Sequence, residues 1–202
     1  MIIRRIPAGM YAANCYIIMD DESRETAVID PGGDSDDIIN CIKELKCIVK
    51  YILLTHAHAD HTGAVDQIRE IFNVPVCVNA EDKKMIADKA FMFGSYKEDK
   101  EKDIELNDGD MLKIGKIKIK CLKTPGHTPG GMCFLLDDDA VITGDTLFAG
   151  SVGRTDFAGG DSEAIIKSIK SKLMVLNDHI EVLPGHGVES TIGRERMNNP
   201  FL

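Results

Sequence analysis

No stretch of the sequence approaches the roughly 18 apolar residues that a membrane-spanning helix needs. No signal-peptide apolar region is expected at the start, where Arg4 and Arg5 are followed by Pro7, Asn14 and Asp20, which interrupt any apolar run. The six cysteines, Cys15, Cys41, Cys47, Cys77, Cys121 and Cys133, form no C-x-x-C pair and mostly lie inside apolar runs, as reduced, buried thiols do. Positive charge is scarce. Twenty-four Lys and Arg against 33 Asp and Glu leave a net charge of −9, a sign that repels phosphate backbones and anionic lipid. The expectation is a cytoplasmic protein with no nucleic-acid partner and no membrane partner. Oligomeric state is not encoded in these features.

What remains is an ordinary globular composition, 44% apolar and 28% charged over 202 residues, which suits one domain spanning residues 1–202. Short Ile- and Val-rich runs at Ile2 to Ile6, Asn14 to Met19 and Thr26 to Asp30 read as strands, the last closed by Asp30-Pro31-Gly32-Gly33. Between Asp36 and Leu45, Ile38, Ile39, Cys41, Ile42 and Leu45 share a helical face, with Asp34 or Ser35 available as N-cap. A strand at Lys50 to Leu54, a helix through Ala64 to Phe72, a strand at Val74 to Val78 and a helix at Glu81 to Ala90 follow. Phe91 to Asp103 is polar and aperiodic, a surface loop that could border a substrate entrance. The second half repeats the order, with strands at Met111 to Ile114, Ile117 to Leu122, Met132 to Leu136 and Ala140 to Thr143, a helix at Ser162 to Leu176 and a strand at Ile180 to Leu183. Asn107 to Asp110 and Asp137 to Asp139 read as hairpin turns. Sheet-rich blocks punctuated by single helices, twice over, imply an α+β fold of two face-to-face sheets with helices on the outer faces.

Chemistry concentrates in Thr55-His56-Ala57-His58-Ala59-Asp60-His61, which holds half of the six histidines directly after a strand and before a helix. His56 and His58, two residues apart in extended backbone, point the same way and can grip one cation, while Asp60 and His61 face a neighbouring position. Three further strand ends each offer one ligand-type side chain beside turn-forming Gly or Pro: His127 in Thr124 to Gly131, Asp145 in Thr143 to Phe148, and His186 in Leu183 to Gly187. Seven ligands exceed what one tetrahedral ion with an open position takes. They divide as His56, His58 and His127 for one divalent ion and Asp60, His61 and His186 for a second, with Asp145 as the bridge. Imidazole with carboxylate suits zinc first, and also iron or manganese. His179, in Asn177-Asp178-His179, has no companion motif and is read as structural.

With H-x-H-x-D-H at His56 to His61 and the three later ligands in order, the sequence resembles the metallo-β-lactamase-fold hydrolases along essentially its whole length. That resemblance implies a four-layer αββα sandwich with the metals at one edge of the sheets. Gly144 to Phe148, Ser151 to Asp156, Asn14-Cys15-Tyr16 and the ending Gly193 to Arg196 with Asn199-Pro200-Phe201 are similar to the glyoxalase II (hydroxyacylglutathione hydrolase) branch, and more narrowly to its short bacterial members. The branch implies hydrolysis of a small thioester, such as a hydroxyacylglutathione or related thiol conjugate, by water ionised between the two ions. Asp145 would hold the ions together, and Asp60 would orient the water or take a proton as the other catalytic carboxylate. Arg154 matches a position that the branch uses on the carrier's carboxylate, but the tyrosine expected two residues later is Asp156, so an Arg154–Asp156 ion pair competes with that role. The C-terminal helical domain that supplies glutathione contacts in full-length members has no counterpart before Leu202. The main alternative within the resemblance is a mono-iron persulfide dioxygenase using His56, His127 and Asp145; other metallohydrolases, lactonase or β-lactamase among them, come next.

Overall fold

The computed structural model describes residues 1–202. Six strands form the first sheet: β1 (Ile2–Ala8), β2 (Ala13–Met19), β3 (Glu25–Ile29), β4 (Ile48–Leu53), β5 (Val76–Val78) and β6 (Ile104–Glu105), side by side in chain order. β1, β2 and β3 pair antiparallel, and β3 through β6 run parallel. Each parallel step is bridged by helix: α1 (Ser35–Glu44), then α2 (Ala59–Thr62) with α3 (Val65–Phe72), then α4 (Ala80–Ala87). The second sheet holds β7 (Met111–Ile114), β8 (Ile117–Lys123), β9 (Met132–Leu136), β10 (Ala140–Gly144), β13 (Glu181–Pro184) and β14 (Ser190–Thr191). A small hairpin of β11 (Leu147–Phe148) and β12 (Ser151–Val152) and helix α5 (Ser162–Ser168) lie between β10 and its parallel neighbour β13; α6 (Ile192–Asn198) follows β14.

Side-chain alternation along the strands builds four layers. Tyr16, Ile18, Ala27, Ile29 and Leu53 from the first sheet meet Ile119, Cys121, Phe134, Leu136 and Ile142 from the second in one buried cluster. The intervening residues Cys15, Ile17, Val28 and Ile52 point the other way, against Ile38, Ile42, Val65 and Ile68 of α1 and α3. On the far side, Cys133, Leu135, Val141 and Val182 meet Ile165, Ile169, Leu173 and Ile192 from the α5 and α6 region. A two-residue strand period buried on both faces explains why these strands read as nearly continuous apolar runs. The expected α+β, αββα sandwich is therefore present. All six cysteines are free, four of them buried.

Three local expectations need correction. Asn107 to Asp110 is no hairpin: it links β6 of one sheet to β7 of the other. Asp34 precedes α1 in a left-handed conformation with no capping bond; its carboxylate accepts the Gly9 N–H at 2.8 Å instead. The helix expected from Ser162 to Leu176 is α-helical only to Ser168 and then widens into a π turn over Ile169–Leu173, and Asp161 caps its start by accepting from the Glu163 and Ala164 N–H groups. No helix is long and apolar enough to cross a membrane.

Candidate metal centre

Four strand ends converge at one edge of the sandwich. β4 leads into Thr55 to Asp60 and α2; the β8–β9 connection carries His127; β10 ends at Gly144 just before Asp145; β13 ends at Pro184 two residues before His186. Gly144 adopts φ +48°, and a Cβ there would lie 2.2 Å from the Thr55 hydroxyl. Glycine thus lets the β10 end press against the β4 end. At Gly185 a Cβ would sit 2.2 Å from Asp145 Oδ1, so only a bare backbone passes the carboxylate.

All seven sequence-selected residues come together, and two sets of three are compact. The ligand atoms of His56, His58 and His127 lie within 4.8 Å of one another, as do those of Asp60, His61 and His186. His58 Nδ1 and His127 Nε2 are 3.0 Å apart. His186 Nε2 is 3.2 Å from Asp60 Oδ2. Asp145 stands between the sets: Oδ2 is 3.6 Å from Nε2 of His127 and also 3.6 Å from Nε2 of His186, and Oδ1 is 3.5 Å from His61 Nε2. His179 is exposed and outside this cluster.

Tautomers follow from what each ring's other nitrogen touches. The Thr55 hydroxyl donates to Asp30 Oδ2 at 2.5 Å, so it accepts from His56 Nδ1 at 3.1 Å and leaves the lone pair on Nε2. Asp30 Oδ2 also accepts from His61 Nδ1 at 3.0 Å, again freeing Nε2. His127 Nδ1 donates to the Arg154 carbonyl at 2.8 Å. Such outer partners fix ring orientation and raise the basicity of the inward nitrogen. Asp30, read from the sequence as part of a turn, is therefore a support for two imidazoles. Asp82, read only as a helical residue, is another. Its buried carboxylate accepts from Ala57 N–H at 2.8 Å, Gly130 N–H at 2.7 Å and the Thr128 hydroxyl at 3.0 Å, tying the His56–His58 segment to the His127 loop. Neither role has a sequence signal, because both depend on contacts 25 or more residues away.

Electrostatics separates the two sets. Burial, reinforced by the neighbouring imidazoles, holds His56 well below the ordinary histidine range and His58 at about 3, and burial lowers His127 as well. These three are neutral donors. Burial works against charge on His61 too, but Asp145, Asp30 and Asp60 outweigh it and raise the ring to about 9. The hydrogen bond that His186 donates to Asp60 raises the His186 ring above the ordinary histidine value. Three carboxylates around that second set demand positive charge, which a cation supplies in place of a proton.

The donor set fits divalent cations. Nε2 of His56, His58 and His61 and Oδ1 of Asp145 are buried without any hydrogen-bond partner, a cost of about 1–3 kcal/mol each unless something binds them. Outside, Tyr11, Met92, Arg154 and Phe157 join His58, Asp60, His127, Asp145 and His186 around a cavity of about 290 Å³. Met92 places the start of the Phe91 to Asp103 segment at this mouth, and Phe93 packs edge-on to the His58 ring. The Arg154 guanidinium lies 3.8 Å over Phe157 and grips Asp156 through two 2.7 Å bonds. The ion pair anticipated from the sequence is thus formed.

The family model described as the metallo-beta-lactamase superfamily matches residues 8–186. The chain is 41% identical to the hydroxyacylglutathione hydrolase GloC of Haemophilus influenzae, covering 100% of this chain and 98% of that one. Among solved structures, the B3 metallo-beta-lactamase BLEG-1 superposes with a TM-score of 0.88 at 33% identity, over 100% and 99% of the two chains. A protein solved in a di-iron-bound form gives 0.84 at 34% identity, over 98% and 100%.

Proposed function

Since the chain belongs to the metallo-beta-lactamase superfamily and is a metal-dependent hydrolase of it, we propose that it hydrolyses a small thioester, of the hydroxyacylglutathione type, with two divalent cations. The carrying observation is the pair of separate triads on either side of Asp145, with Nε2 of His56, Nε2 of His61 and Oδ1 of Asp145 buried and unpartnered. His56, His58 and His127 would hold one ion, Asp60, His61 and His186 the other, and Asp145 would reach both. Bound there, zinc, iron or manganese would supply Lewis acidity, lowering the pKa of water towards about 7 and polarising a carbonyl.

The chain's own groups do the rest. Asp60 is half-buried and lines the cavity with one oxygen on His186, so its other oxygen can orient the attacking water or accept its proton. Asp30, through Thr55 and directly, keeps His56 and His61 in the donor tautomer. A thiolate leaves without much acid assistance, so the reaction asks for no dedicated general acid. Arg154 can receive a substrate carboxylate only by sharing its guanidinium with Asp156. A mono-iron persulfide dioxygenase would need His56, His127 and Asp145 alone; the complete second triad favours the hydrolase.

The test pairs metal analysis with two assays on the protein loaded with zinc or iron. Two ions per chain with turnover of S-lactoylglutathione is the expected result. One iron per chain, with oxygen uptake on glutathione persulfide and no thioester cleavage, would replace this reading with the dioxygenase.

A further inference from the structure

Asn14-Cys15-Tyr16 stands out in the sequence, yet none of the three lines the cavity. Asn14 and Tyr16 are buried at the start of β2, in the first sheet. Their polar atoms nevertheless go to the second sheet. Asn14 Nδ2 donates to the carbonyl of Pro184 at 2.9 Å and to that of Gly187 at 3.2 Å, and the Tyr16 hydroxyl donates to the Pro184 carbonyl at 2.8 Å. The Asn14 N–H completes the set with a 2.7 Å bond to the Gly185 carbonyl. Three carbonyls of the Pro184 to Gly187 turn therefore point into one clamp on the opposite sheet, and that turn carries His186. From the other side its backbone is fixed by Gly185 N–H donating to the Gly144 carbonyl at 2.8 Å, directly beside Asp145.

We infer that Asn14 and Tyr16 are positioning residues that set His186 against Asp60, and so govern the second cation position selectively. The inference rests on the two-ion reading above. It follows from a division of supports. The first triad is held by Asp82, by the Arg154 carbonyl and, through Thr55, by Asp30, none of which receives a side-chain bond from Asn14 or Tyr16. His186 has no bond from its own ring to a supporting backbone group; the ring meets the carboxylates of Asp60 and Asp145 and packs against the rings of His61 and Phe148. It depends on the turn for its place. Loss of an outer support of a metal ligand typically weakens binding 10–100-fold.

The experiment is a zinc titration of the metal-free full chain by equilibrium dialysis, with thermal unfolding of the same metal-free samples. In Asn14→Ala the second zinc should bind at least about tenfold more weakly than in the wild type while the first changes less than about threefold. Tyr16→Phe, which removes a single hydroxyl, should shift the second zinc in the same direction by less. In a His186→Ala background, adding Asn14→Ala should change zinc binding no further, because the two act through one ligand. Parallel weakening of both zinc ions alongside a lowered metal-free melting temperature would make the clamp merely structural and overturn the inference. So would unchanged binding of both. A wild type that takes up one zinc only would instead sink the two-ion reading, and the inference with it.

Discussion

At Asp82 one buried carboxylate satisfies three donors from two different loops. Asp82→Asn keeps the volume but turns one acceptor into a donor, leaving at least one of the Ala57, Thr128 or Gly130 groups unpaired, at about 1–3 kcal/mol. Chemical denaturation of the metal-free protein should register that loss at pH 8, where the carboxyl is ionised, and zinc affinity at the first position should fall with it. Burial raises the Asp82 carboxyl to about 6. A raised carboxyl favours the folded state while protonated, so this contribution is present below about pH 4 and is lost as the pH rises through about 6. The Asp82→Asn protein should lack that part of the pH slope. For the ligands themselves, Asp145→Ala or His58→Ala should abolish turnover and much of the bound metal, whereas His179→Ala should leave both nearly unchanged. Arg154→Ala should raise KM for carboxylate-bearing thioesters selectively; an equal loss with neutral thioesters would assign the residue to its ion pair with Asp156. Metal ligands were legible in the sequence because their spacing is local and turn residues flank each one. Asp30, Asp82, Asn14 and Tyr16 act across 25 to more than 160 residues, through contacts that no local pattern records.

Among the elements, amphipathic α1 and the longer strands of both sheets were readable from their apolar patterns, since each meets a buried surface. Connections were not. Asn, Asp and Gly make a chain reversal equally well within a sheet, at Asp137 to Asp139, and between sheets, at Asn107 to Asp110, and only tertiary pairing tells these apart. β6, β11, β12 and β14 are two-residue pieces, too short to show alternation. One connection offers a clean pH test. After β2, Asp20 accepts from Ser23 N–H at 2.8 Å and Lys116 N–H at 2.9 Å, so the β2–β3 turn is bonded to the β7–β8 turn of the other sheet. Those backbone donors, Ser23 first, hold the carboxyl at about 2. A lowered carboxyl stabilises the fold fully above its unfolded value near 4 and loses that contribution as the pH falls through about 2. Urea midpoints of metal-free wild type and Asp20→Ala should therefore converge between pH 4 and 2; a constant gap would contradict the assignment.

At the scale of the whole molecule, stability and metal binding draw on the same contact between sheets. Phe134 is fully buried in the cluster that joins them, and Phe134→Ala should cost about 3–5 kcal/mol, read by calorimetry of the metal-free chain. Zinc at a hundred times its dissociation constant should add about 2.7 kcal/mol per site, and a chelator should remove it. Neither sheet borrows a strand from the other half of the chain, strands one to six making the first and strands seven to ten with thirteen and fourteen the second, and the chain passes between them once, at exposed residues 107–109. A protease nick there would yield two fragments, each owning a whole sheet but neither a whole triad: His56, His58, Asp60 and His61 would stay with one piece, His127, Asp145 and His186 with the other. The ions would then serve as rivets, and reunion of the two fragments should become a zinc-gated event.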